Sequence, residues 1–200
     1  MAKVTEILDR SARQCSVTPP DSWITATGVT YIEIRDDFLL ETIDELQKRI
    51  ETYYRPYHSA IADLLNDVEA TSGLTPAVLS VHTMTDRWNG VERPWHTSIL
   101  WDSDPRFVQP MLEELQKTPQ IIVGENQPYD GALGGDTMFA HCTSNGLAHA
   151  LIEIRQDLVR DQNGIEDWVH LLRPIVEKVN ALPNMHKREY FGSRTGLPIG

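Results

Sequence analysis

Short apolar runs alternate with longer amphipathic stretches along the chain, and this alternation limits the fold more than any other feature. "AVLSVH" (77–82), "HTSILW" (96–101), "QIIVGE" (120–125) and "GLAHALIEI" (146–154) have the length and content of buried strands. Between and around them lie helical patterns. Residues 36–71 carry Ile43, Leu46, Ile50, Tyr53, Tyr54, Tyr57, Ile61, Leu64 and Leu65 at three- and four-residue steps, forming one long helix or two in sequence. Pro56 should kink or interrupt that stretch, and "TSGLTP" (71–76) should end it. A second helix is expected over 104–118, with Asp104 as N-cap and Pro105 at its first position. A third is expected over 164–181, and a short one before residue 146. Strands alternating with helices give an α/β domain, a three-layer αβα sandwich around a mostly parallel or mixed sheet.

The 200 residues suit a single domain, assigned to 1–182. Residues 11–30 are loop-like, and 183–200 have no periodicity and are expected to form a flexible tail. A net charge of −11 and a pI near 5.0 argue against nucleic acid and anionic membrane surfaces, which attract basic faces. No apolar run is long enough to span a bilayer, and "MAKVTEILDR" has no signal-peptide core. Cys15 and Cys142 alone make no disulfide framework or zinc pair, so a reducing, cytoplasmic setting is expected.

In α/β sheets, sites form beyond the carboxyl ends of strands. Four constellations fall near such ends. In "LIEIRQDL" (151–158), Glu153 and Arg155 share one face and Ile152 and Ile154 the other. Glu153 and Arg155 either satisfy each other at a strand end, or serve as a general base beside a cation that fixes an anionic substrate group. His82 closes the run "VLSV" as a structural imidazole or a metal ligand. "RWNGVERPWHTSILWD" (87–102) is either a hairpin whose aromatics cover a sheet edge or a pocket wall in which Arg87 or Arg93 receives a carboxylate. In "VGENQPYDGALGGD", Gly131, Gly134 and Gly135 permit close backbone approach, while Asn126 and Tyr129 offer neutral hydrogen bonds.

The segments "YRPYHSAIADLL" (54–65), "LSVHTMTDRWNGVERPWHTSILWDSDPR" (79–106), "VGENQPYDG" (123–131) and "GLAHALIEIRQDL" (146–158), in this order, resemble the N-formylglutamate amidohydrolase family. The resemblance implies a zinc-carboxypeptidase-like fold and a zinc-dependent hydrolase that cleaves the amide of an N-acyl amino acid. It implies His82 as a zinc ligand and Glu153 as the catalytic group that activates water. It places Arg155, Asn126 and Tyr129 in segments lining the substrate pocket, and it relates "ILDRS" (7–11), with Arg10, to the segment near the substrate carboxylate. Arg87 joins these as a candidate for the substrate anion.

The sequence contains no counterpart of the family's opening histidine-containing zinc motif, so the domain is expected to be N-terminally incomplete. The alternative function is a metal-free, catalytically inactive relative that binds a small carboxylate or acts as an interaction protein. A small N-acyl amino acid or other carboxylate is the expected partner, with a homo-oligomer possible through an uncovered sheet edge.

Overall fold

The computed structural model describes residues 45–199. The chain divides into two compact units, Met1–Pro56 and Tyr57–Gly200. In the first, the described residues are helical, and Ile50–Tyr54 form a π-helical turn in which the Arg55 N–H reaches back to the Ile50 carbonyl. Pro56 follows directly. Its ring cannot continue the donor ladder, and the wider turn absorbs the break that the sequence predicts there.

Helix α1 (Arg55–Ser72) ends where Gly73 adopts φ +69° and donates to the Glu69 carbonyl at 2.9 Å. This is a left-handed stop that suits glycine. Strand β1 (Val78–Met84) follows, then a two-stranded ribbon of β2 (Arg87–Trp88) and β3 (Val91–Glu92). Asn89 and Gly90 join the ribbon with φ of 49° and 78°, the positive pair a tight two-residue hairpin demands. Next come β4 (Thr97–Leu100), α2 (Pro105–Leu115), β5 (Val123–Glu125), the short α3 (Thr137–His141), β6 (His149–Arg155) and α4 (Gln162–Asn180). Asp104 caps α2 by accepting from the Arg106 N–H at 3.0 Å, with Pro105 next to it, as the sequence predicts.

The main sheet has the order β1-β6-β4-β5. β1 runs parallel to β6 and β4 parallel to β5, while β4 and β6 are antiparallel. Two of the three pairings are therefore parallel, the mixed sheet expected. Ala150, Ile152 and Ile154 of β6 join Ile99 of β4 beneath Phe107, Val108, Met111, Leu112 and Leu115 of α2 and Trp168, Ile175 and Val179 of α4. On the opposite face Leu151 packs with Met138, Cys142, Leu147 and Leu65 of α1. His58 Nδ1 and His141 Nε2, 2.7 Å apart, tie α1 to α3 on that side. Helices thus cover both faces, giving the αβα layers. Among the described residues no helix is long and apolar enough to cross a membrane.

Two expectations need amending. The first strand does not stop at His82. Parallel pairing carries it to Met84, opposite Arg155, so His82 lies within the ladder opposite Glu153. Residues 183–199, read as a flexible tail, form no helix or strand but are pinned to the body. Met185 is fully buried in the main core. Arg106 donates to the carbonyls of Asn184, Lys187 and Gly146, and its guanidinium lies 5.0 Å from the centre of the Phe191 ring. Arg194 donates to the carbonyls of Trp101 and Asp102 and pairs with Asp130 at 2.7 Å. Hydrogen bonds to the backbone leave no hydrophobic period for a sequence reading to detect.

Candidate active site

β6 is an inner strand, so a side chain on it has a cross-strand neighbour on each side. Glu153 pairs with His82 of β1 and with Ser98 of β4, and Ser98 pairs in turn with Gly124 of β5. Directly opposed residues share a face, so His82, Glu153, Ser98 and Gly124 form one row across the sheet. His82 Nδ1 stands 4.0 Å from Glu153 Oε1. At the other end of the row, a Cβ on Gly124 would lie 2.9 Å from the Trp95 ring, so only glycine lets that ring settle on the sheet.

Glu153 is 7% exposed, and among the described residues its Oε2 has no hydrogen-bond partner. A buried carboxylate oxygen without a donor is costly. Burial pushes the Glu153 carboxyl above the usual carboxylate range, and the nearby His82 and Arg93 draw it partly back. The result is a carboxyl group with one free oxygen and raised basicity, held rigidly by the sheet.

Arg93 is the second buried charge here, at 6% exposed. Its backbone N–H donates to the Asp86 carbonyl and its own carbonyl accepts from Arg155 Nη1 at 3.0 Å. Its Nη2 donates to the Tyr129 hydroxyl at 2.7 Å, while Nη1 has no partner among the described residues.

The other candidates take clear places. Arg155 pairs with Asp157 at 2.7 Å and steadies the Arg93 backbone, so it does not satisfy Glu153. Arg87 lies on the exposed ribbon, engaged by Glu92 across the strand pair. Asn126 has φ 50°, and its Oδ1 accepts from the backbone of Trp101 at 2.9 Å and of Gly131 at 3.1 Å. It therefore fastens the loop that presents Tyr129. Gly131 fits that fastening because a Cβ there would meet the Trp101 nitrogen at 2.1 Å. Arg10 lies outside the described residues. The structure thus sets His82 beside Glu153 and Tyr129 against Arg93, whose charge reaches Glu153, and leaves Arg87 on the outer ribbon. The sequence held a signal that separates the two arginines: Asn89-Gly90 dictates a tight hairpin, which commits Arg87 to its exposed strand.

The family profile and one solved structure agree with this fold. The profile of the N-formylglutamate amidohydrolase family matches residues 21–160. A solved gene product of Agrobacterium tumefaciens is 23% identical, with a TM-score of 0.60 over 74% of this chain and 56% of that one. A solved N-formylglutamate amidohydrolase from Ralstonia eutropha is 20% identical, with a TM-score of 0.49 over 69% of this chain and 54% of that one. The chain therefore spans a little over half the length of these structures. No curated protein matches the sequence. With the family profile running through β1, β4, β5 and β6 and over most of the sequence, the chain belongs to the N-formylglutamate amidohydrolase family.

Proposed function

We propose that the protein hydrolyses the amide bond of an N-acyl amino acid of the N-formylglutamate type, with Glu153 as the general base. The observation that carries this reading is the buried Glu153 carboxyl, with Oε2 unpartnered and Oε1 4.0 Å from His82. A water beside the Glu153 carboxyl is the nucleophile. Glu153 takes its proton as the oxygen attacks the acyl carbon, then passes the proton to the leaving amine. A raised carboxyl pKa makes Glu153 a stronger base toward that water than an ordinary glutamate.

The family resemblance implies a zinc ion at this site. A catalytic zinc takes about three protein ligands and one open position. Among the described residues no three His, Cys, Asp or Glu side chains stand close enough to hold a metal ion, so these residues do not fit a zinc site on their own. His82 is the one imidazole beside Glu153 in the row.

The deciding experiment measures formate released from N-formylglutamate by the wild type and by Glu153→Gln, with elemental analysis of the same samples. Wild type should release formate, and the variant should lose at least ~100-fold in rate. Binding of N-formylglutamate by the wild type without formate release would instead support the carboxylate-binding alternative.

A further inference from the structure

Asparagine precedes glycine three times in the chain, at Asn89-Gly90, Asn145-Gly146 and Asn163-Gly164. Asparagine is a thermally labile residue, and a following glycine puts no side chain in front of its own nitrogen. That nitrogen can attack the amide carbon of the asparagine. The fold treats the three pairs differently. Asn145 Nδ2 donates to the carbonyls of Ala140 and His141, and the Gly146 N–H donates to the Thr143 carbonyl. Gly146 is also wedged against Glu189, whose carbonyl oxygen would lie 3.0 Å from a Cβ placed there. Asn163 sits in the first turn of α4, where the Gly164 N–H donates to the capping Asp161 carboxylate at 2.9 Å. Gly164 packs closely on the Leu158 carbonyl. Each of these pairs must break its bonds and shift its backbone before the nitrogen and the amide carbon can meet.

Asn89 is under no such restraint. Among the described residues neither its side-chain amide nor the Gly90 N–H has a hydrogen-bond partner. The space around Gly90 is open, since a Cβ there would meet no atom within 4 Å. The flanking rung of the ribbon is Trp88 opposite Val91, 63% and 70% exposed. A two-stranded ribbon is marginally stable by itself, so the turn can leave its resting φ of 49° for the geometry of attack at little cost.

We propose that Asn89 is a site of spontaneous modification, converted to aspartate and isoaspartate through a cyclic imide with Gly90, while Asn145 and Asn163 stay intact. The Gly90 nitrogen gives its proton to solvent hydroxide and forms a bond to Asn89 Cγ. The Cγ–Nδ2 bond breaks, and the amide nitrogen takes up a proton from water and leaves as ammonia. One water then opens the imide. Cleavage of the new Cγ–N bond leaves an aspartate in the original main chain. Cleavage of the original peptide bond leaves the main chain running through Cβ and Cγ, which is isoaspartate. Both products add a carboxylate to the tip of the ribbon. The isoaspartyl form also lengthens the turn by a methylene, which a two-residue hairpin does not accommodate.

The test ages the intact protein at pH 8 and maps it by tryptic peptide mass, with fragmentation to place each acid and enzymatic methylation to detect isoaspartate. The three pairs fall in separate peptides, 88–106, 118–155 and 161–178. A parallel sample in guanidinium chloride gives the unrestrained rates, and there all three pairs should convert. In the native protein Asn89 should convert within a few-fold of its unrestrained rate. Asn145 and Asn163 should fall behind theirs by at least ~10-fold, the factor that local opening against one net hydrogen bond supplies. Gly90→Ala, which shields the attacking nitrogen, should slow conversion of Asn89 severalfold, and this is read equally well in guanidinium chloride should the variant distort the turn. Native protection of Asn89 equal to that of Asn145 and Asn163 overturns the proposal. Acid at Asn89 without isoaspartate, or undiminished conversion in Gly90→Ala, overturns the imide route and with it the assignment.

Discussion

His82 Nδ1 lies 4.0 Å from Glu153 Oε1, across a parallel strand pair that brings together residues 71 positions apart. The imidazole is half exposed and the carboxyl is buried, so the pair grades from solvent to interior. Burial raises the Glu153 pKa. If the ionised carboxylate is the base, kcat/KM for N-formylglutamate should rise with pH through an apparent pKa above the ~4.3 of a free glutamate. A pH–rate profile already flat from pH 4.5 upward would contradict this.

The same carboxyl should weaken the fold at neutral pH. A carboxyl whose pKa is raised by folding binds its proton more tightly in the native state, so its contribution is favourable at low pH and is lost as pH rises through the native pKa. Glu153→Gln, which cannot ionise, should therefore melt higher than wild type at pH 7.5, by about 2–4 °C for each ~1 kcal/mol gained. The difference should shrink toward pH 4. Scanning calorimetry at the two pH values reads both effects.

The paired imidazoles His58 and His141 predict the opposite slope. Burial lowers both pKa values, and His141 adds to the shift on His58. The native state therefore holds them neutral while the unfolded chain takes up protons near pH 6.5, so their contribution is present above that pH and is lost as pH falls through the depressed native values. The Tm should drop between pH 7 and 5, and a His58→Gln/His141→Gln double variant should show a shallower drop. Equal slopes for the two proteins would refute the assignment.

Arg106 is buried, paired with Asp104 and bonded to four backbone carbonyls. Arg106→Ala strands the Asp104 charge and those carbonyls together. The loss should be ~3–5 kcal/mol, typical of a broken buried pair. Urea titration should show a lower midpoint, and limited proteolysis should show cleavage within 183–199 before the sheet is cut.

Burial pushes the Cys142 thiol up to about 12, with Asp136 and Asp104 adding to the shift. The thiolate is the reactive form. Iodoacetamide at pH 8 should leave Cys142 unmodified in the native protein and alkylate it in urea, as mapped by peptide mass. Native labelling at the unfolded rate would place Cys142 outside the core.

The layers were legible because their cause is periodic. Leu151 packs under one helical covering and Ile152 and Ile154 under the other, and that alternation is written in the sequence. Strand ends were less legible, because the ladder beside β6, not the residue type, carries β1 past His82 to Met84. The different places of two arginines were legible only in part. Arg87 and Arg93 look alike in sequence, and only the hairpin at Asn89-Gly90 and the Tyr129 ring beside Arg93 distinguish an outer arginine from an inner one.

The docking of residues 183–199 also bears on local opening. Arg106 and Asp102, both buried, take partners from this segment, so detaching it uncovers two charges at once and should loosen the start of α2 along with it.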